Sequence, residues 1–193
     1  MINTAEMLRA FKPLRGDAIV IPGRGGRHWV ELTENETLDA TLGDPAMGGH
    51  ASFGLGVALA QPKRKVMMFD SEGDIQMSLG ILITIAEQAP KNFYHFLIDN
   101  GVYATTGGQP VPNAENVDYA GLAKAAGYPK AVSYDALDKL TADLPGLLAG
   151  EGPVFIHMKI VPEIQNEAIG SRKPWNPRDR KKVITDLRAA LTK

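Results

Sequence analysis

The chain has 193 residues, 44% hydrophobic and 22% charged, with 21 basic against 22 acidic side chains and a net charge of -1. That length allows one sizeable core rather than two, and the even charge balance points away from nucleic acid and membrane surfaces, toward a small molecule or another protein as partner. The absence of cysteine excludes disulfide frameworks, thiolate metal sites and a cysteine nucleophile.

In chain order, the opening "MINTAEMLRAFKPLRGD" has neither a basic start with an apolar run nor a spanning stretch, so a cytoplasmic protein without a leader is expected. "DAIVI" at 17–21 reads as a strand, "HASFGLGVALA" at 50–60 as a helix, and "KVMMFD" at 65–70 as a second strand. "MSLGILITIAEQA" at 77–89 is helical in spacing, "NFYHFLIDN" at 92–100 is a strand, and "VDYAGLAKAAG" at 117–127 is a helix. "KAVSY" at 130–134, "YDALDKLTADLPGLLAG" at 134–150 and "PVFIHMKI" at 153–160 complete the alternation as strand, helix, strand. This order predicts an α/β fold, doubly wound, with a mainly parallel sheet covered by helices on both faces. Residues 163–193 read as an extended arm ending in a short amphipathic helix, either a surface connector or an arm that packs on another subunit.

Ligands collect at the carboxyl ends of such strands, and three unusual loops stand there: "PGRGGRH", "DSEGD" and "DNGVYATTGGQ". Asp70, Glu72 and Asp74 crowd the second of them. Like charges that close need a cation or solvent. Either a hard divalent ion shared with phosphate oxygens resolves the repulsion, with Glu72 or Asp74 near Asn100, or the acids form a solvated turn capping a helix that starts near Ile75. In the first loop Arg24, Arg27 and His28 suit a carboxylate, sulfonate or phosphonate, or form a basic surface loop. His95 falls inside a strand and is expected to pack there or to act as a donor behind the site.

The stretch "EGDIQMSLGILITIAEQAPKNFYHFLIDNGVYATTGGQ" resembles the thiamine-diphosphate-binding motif, in which a G-D-G turn is followed, one helix and one strand later, by N-N or D-N. Within that family it is most similar to the small cofactor-binding subunits or domains of sulfopyruvate and phosphonopyruvate decarboxylases. "MGGHASFGLGVALAQPKRKV" and "GPVFIHMKIVP" extend the likeness to residues 15–162. The resemblance implies the thiamine-diphosphate-binding fold as a single diphosphate-binding domain over 1–193, with its core at 15–162 and the arm and helix at 163–193. It also implies thiamine diphosphate with Mg²⁺ as cofactors. Aligning the "MSLG" step sets Ser71-Glu72-Gly73-Asp74 on the G-D-G turn and the polar residue after it. Glu72 then takes the place of the metal-binding aspartate, Asn100 that of the metal-binding amide, and Val102 that of the residue whose carbonyl completes the protein ligands. The literal Gly73-Asp74 pair would instead make Asp74 the ligand, but at the cost of a deletion in the helix.

The resemblance further puts Gly23, Arg24, Gly25, Gly48, Gly73, Asp74, Ile75, Tyr103, Thr105 and Thr106 against the cofactor. Met47 falls where a bulky apolar residue wedges under the cofactor and bends it; the alternative reading is an ordinary core methionine. His50 follows that wedge as a candidate proton-transfer or substrate-binding group, or as a structural histidine at a helix start. An Asp74 charge beside a diphosphate must point to solvent, bind a second cation or pair with a base such as Arg24. In the resembling enzymes two domains share each cofactor, so a second subunit carrying the pyrimidine-binding domain and an activating glutamate is expected. The implied function is the cofactor-anchoring part of a 2-oxo acid decarboxylase for an acid with an anionic tail. Alternatives are a carboligase or lyase subunit on the same cofactor, a non-catalytic homologue that has lost it, and a Mg²⁺-dependent phosphate-ester enzyme.

Overall fold

The computed structural model describes residues 1–42, 47–168, 171 and 175–192, so part of the expected arm at 163–193 lies outside the described residues. In chain order the elements are α1 (Thr4–Phe11), β1 (Ile19–Ile21), α2 (Trp29–Leu32), α3 (His50–Ala60), β2 (Val66–Ser71), α4 (Glu72–Met77) and α5 (Ile81–Gln88). They continue with β3 (Phe93–Asp99), β4 (Val102–Tyr103), β5 (Gln109–Pro110), α6 (Tyr119–Ala126), β6 (Lys130–Tyr134), α7 (Leu137–Ala149), β7 (Val154–Lys159) and α8 (Arg180–Leu191). Five strands form one parallel sheet in the order β1-β2-β3-β7-β6, and β4 and β5 make a small antiparallel ribbon. The doubly wound α/β expectation is met. No helix among the described residues is long and apolar enough to cross a membrane.

Strand side chains alternate between the two faces, and both faces are buried. Met67, Phe69, Tyr94, Phe96, Ile98, Val154, Ile156 and Met158 point to one layer, covered by Met7, Leu8 and Phe11 of α1 and by Leu140, Leu144, Leu147 and Leu148 of α7. Val66, Met68, Phe93, Leu97 and Phe155 point to the other, beneath α3, α5 and α6, with Leu187 of α8 packed at its margin. The buried set is therefore wider than the expected 15–162. Asn3 caps α1 by accepting from the Glu6 N–H at 3.0 Å, and Ile2 N–H donates to Lys159 O at 2.9 Å. That short helix carries only three core side chains, too few for a period to stand out in the sequence.

The expected helix at 77–89 begins earlier and in two pieces. β2 runs directly into α4, because Ser71 accepts from the Asp74 N–H at 3.3 Å and caps the first turn. The chain then bends through Ser78–Gly80 into α5. The cap lies four residues before the expected start near Ile75, and it draws Glu72 inside.

The loop after β1 is tethered by a buried ion pair. Arg15 Nη2 donates to Asp39 Oδ1 at 2.8 Å and to Asn35 O at 2.9 Å, and its Nη1 donates to Thr33 Oγ1 at 2.8 Å. Trp29 Nε1–H also donates to Asp39 Oδ1, at 3.1 Å. Arg15 and Asp39 are only 7% and 1% exposed, so deleting one leaves the other charged and dry. Arg15→Ala is expected to cost about 3–5 kcal/mol, read as a lower denaturation midpoint, with Arg15→Lys recovering only part because it cannot span the three acceptors.

Candidate active site

The three carboxylates of the β2–α4 junction are balanced in three different ways. Glu72 turns inward, 1% exposed, into the space between the ends of β2 and β3. Burial and then the nearby charge of Asp99 push its carboxyl up to about 8, against the backbone N–H groups of Glu72 itself, Asn100 and Val102, which favour the ionised form. Its Oε2 is enclosed and has no hydrogen-bond partner. A buried acceptor left open is costly, and a cation placed against this oxygen would satisfy it.

The facing loop is rigidly set. Asn100 Oδ1 accepts from the Val102 N–H at 2.8 Å, and Asp99 Oδ1 from the Gly101 N–H at 3.0 Å. Asp99 Oδ2 lies 2.9 Å from His157 Nε2, and His157 Nδ1 lies 2.8 Å from Ser133 Oγ, so β7 and β6 brace the loop from behind. The Tyr103 ring lies over Gly73, 2.8 Å from where a Cβ would stand. Glu72, Asn100 and Val102 thus meet at one strand end. Their carboxylate, amide and carbonyl oxygens are the hard donor set that Mg²⁺ takes, and the residues fit that ion.

Asp74 faces the other way. Its Oδ1 accepts from the Gly48 N–H at 2.6 Å and its Oδ2 lies 2.7 Å from His50 Nδ1. Burial raises the Asp74 carboxyl, but the bonds from His50 and Gly48 outweigh it and hold the group below the usual carboxylate range. Burial likewise lowers His50, and the bond to and charge of Asp74 reverse that and raise it above its usual value. The partner of Asp74 is therefore His50; Arg24 Nη2 donates instead to Gln165 Oε1 at 3.0 Å. Asp70 is the third case. Burial and the Asp74 charge raise its carboxyl well above the ordinary range, and the two acids share a hydrogen bond. His95 closes the set behind, with Nε2 3.3 Å from Asp70 Oδ2 and Nδ1 3.2 Å from Tyr128 Oη, held neutral by burial with a value down to about 3.

Met47 is 64% exposed with φ at +46°, so it is not a core methionine, and its left-handed backbone is a strained conformation for a side-chain residue. Gly48 follows at φ +85°, where a Cβ would sit 2.5 Å from Ser78 Oγ. Gly23, at φ +55°, presses on β2 so closely that a Cβ would lie 2.3 Å from Phe69 O, with His50 Cε1 next nearest among side chains at 3.7 Å. The β1 loop and the start of α3 thereby meet beside Asp74. Arg24 and Gly25 lie in that loop. Thr105 and Thr106 occupy the turn after β4, where the Thr106 hydroxyl bonds to Gln109 Oε1 at 3.1 Å. The Ile75 side chain is buried in the core cluster shared with α3, which leaves its backbone at the turn.

Three further contacts were not legible locally. Glu163 meets Arg27 and His28, and Gln165 meets Arg24. About 135 residues separate these partners, and no spacing rule joins them.

A family model for "Thiamine pyrophosphate enzyme, C-terminal TPP binding domain" matches residues 25–158. Sulfopyruvate decarboxylase subunit beta of Methanothermobacter thermautotrophicus is 40% identical over 164 residues, covering 84% of each chain. Phosphonopyruvate decarboxylase of Streptomyces hygroscopicus is 39% identical over 161 residues, covering 83% of this chain; the match spans 39% of that longer protein. Among solved structures, the thiamine diphosphate-dependent 4-hydroxybenzoylformate decarboxylase of Rhodococcus jostii RHA1 superposes with a TM-score of 0.66 at 16% identity, over 86% of this chain and 33% of that one, a likeness of fold.

Two outcomes follow from the geometry. Gly48→Ala should destabilise the fold by about 1–3 kcal/mol through backbone strain and the clash with Ser78, measurable in denaturant. Because folding raises Glu72 from its ordinary 4.5 to about 8, the folded chain holds the extra proton across that window, and without cations it loses stability as pH rises through it. In chelator, Glu72→Gln should flatten this decline by several degrees of melting temperature, at roughly 2–4 °C per kcal/mol for a chain of this size; Asp70, Asp39 and His50, all raised on folding, keep part of the slope.

Proposed function

Because the chain belongs to the thiamine pyrophosphate enzymes through their C-terminal cofactor-binding domain, we propose that it anchors thiamine diphosphate and Mg²⁺ in a 2-oxo acid decarboxylase. The substrate is an acid with an anionic tail, of the sulfopyruvate or phosphonopyruvate kind, and a second subunit with the pyrimidine-binding domain completes the site. The relative named as a beta subunit, matched over 84% of its length, supports both the substrate class and the partner. The observation that carries the reading is the open Oε2 of buried Glu72 beside Asn100 and Val102.

When bound, thiamine diphosphate supplies the electron sink for loss of carbon dioxide from the 2-oxo acid. The chain's own residues bind and orient. Glu72, Asn100 and Val102 would hold the metal through oxygen; a dication there would offset the like charge of Asp99 and favour the ionised form of Glu72. Both oxygens of Asp74 are already engaged, which favours Glu72 as the ligand and gives Asp74 the task of orienting His50. With Nδ1 committed to Asp74, His50 has Nε2 left to hold or pass a proton at the substrate, and its imidazolium suits an anionic group. Gly23, Gly25 and Gly73 would let the loops approach the diphosphate, and Gly48 fixes the turn that carries Met47, which would wedge under the cofactor. Tyr103, Thr105 and Thr106 would line the diphosphate side.

Saturating Mg²⁺ plus thiamine diphosphate should raise the melting temperature of the assembled complex, by the equivalent of about 2.7 kcal/mol at a hundredfold excess over Kd. Asn100→Ala and Glu72→Gln should abolish the Mg²⁺-dependent part, whereas Asp74→Asn should keep cofactor binding and lower turnover. An unchanged melting temperature would reject the enzyme reading, and binding lost in Asp74→Asn but intact in Glu72→Gln would move the metal to Asp74.

A further inference from the structure

The segment leaving β7 crosses the strand ends instead of turning away from them. Val161 N–H donates to Ile2 O at 2.9 Å, and Gln165 N–H donates to Ala104 O at 2.8 Å. Between these fixed points Glu163 Oε2 meets Arg27 Nη2 and lies 2.8 Å from His28 Nε2. Gln165 Oε1 accepts from Arg24, and Ile164 rests on Gly108. Five residues thus strap the loop after β1 to the turn after β4.

The fastening is polar. Val161 and Ile164 remain 44% and 48% exposed, so little apolar burial holds the segment down, and such segments open at low cost. Partly exposed ion pairs add only weak attachment. At the centre, a guanidinium and an imidazole from adjacent residues converge on one carboxylate oxygen. A guanidinium fork can engage two oxygens at once, so an anion with three terminal oxygens satisfies this pair better than Glu163 does.

We propose that Arg27 and His28 form a seat for a tetrahedral oxyanion, that Glu163 is its built-in occupant, and that the strap of residues 161–165 withdraws when the anion arrives. The identity of the anion, whether the phosphate of the cofactor or the phosphonate or sulfonate tail of the substrate, rests on the function proposed above.

Calorimetric titration of the full chain with inorganic phosphate, methylphosphonate and methanesulfonate tests the seat, with hydrogen exchange at the Gln165 amide as a second readout. Glu163→Gln, at a part-exposed position, removes the competitor and should tighten anion binding about fivefold. Arg27→Gln, checked for folding by circular dichroism, should lose binding. The Gln165 amide should exchange faster once anion is bound, and should already do so in Glu163→Gln. Thiamine diphosphate with Mg²⁺, added to the complex with the partner subunit, separates the sources. If it releases the Gln165 amide and excludes methylphosphonate, the diphosphate fills the seat; if methylphosphonate still binds the loaded complex, and more tightly in Glu163→Gln, the substrate tail fills it. Anion affinities unchanged or weakened in Glu163→Gln, or a slow Gln165 amide with anion bound, overturn the proposal even where the cofactor binds normally. No response to thiamine diphosphate alongside intact simple-anion effects sinks the cofactor reading and upholds the seat.

Discussion

Everything at the strand ends follows from one electrostatic constraint: two carboxylates, Glu72 and Asp99, lie buried together with an open oxygen between the ends of β2 and β3. Solvent cannot screen such a pair, so one acid must hold a proton or a cation must enter. The surrounding structure keeps the pair from relaxing. Ser71 caps α4 and commits Glu72 to the interior, while His157 and Ser133 fix Asp99 from the neighbouring strands. A more flexible loop would turn one acid to water and lose the site.

The same face of the sheet carries a second cluster of charges, with ligand atoms of His50, Asp70 and Asp74 within 4.8 Å of one another. Asp70, Asp74, His50 and His95 form a continuous hydrogen-bonded set from the start of α3 to Tyr128. Burial and the Asp74 charge push the Asp70 carboxyl well above the ordinary range, while the bonds from His50 and Gly48 hold Asp74 below it and the bond to Asp74 raises His50. Two hydrogen-bonded acids four residues apart are thereby shifted in opposite directions, the fully buried one up and the one bonded to His50 down. Under the proposed function Glu72 would be the metal anchor at one end and His50 the orientable proton carrier at the other.

Parallel topology makes these sites neighbours. The carboxyl ends of β1, β2 and β3 adjoin in the sheet order, so three loops far apart in the chain meet along one edge. The segment after β7 returns across that edge because Ile2 and Asp99 pair with it on either side, which brings a carboxylate to the basic β1 loop.

Periodicity and motif spacing made the strand–helix alternation legible: "KAVSY" coincides with β6 and "HASFGLGVALA" with α3, since side-chain alternation and helical spacing are local properties of the chain. The pairing of an acidic turn with an asparagine loop was legible as well, because two consecutive strand ends in a parallel sheet adjoin. The sequence alone left open which acid faces the asparagine loop, that Asp74 takes His50 and not Arg24, that Met47 stands at the surface, and that Glu163 reaches Arg27 and His28. Each of these depends on the direction of a side chain or on contact between residues 24 to 136 positions apart. Only packing determines such contacts, by closing the sheet and admitting one arrangement of the buried charges.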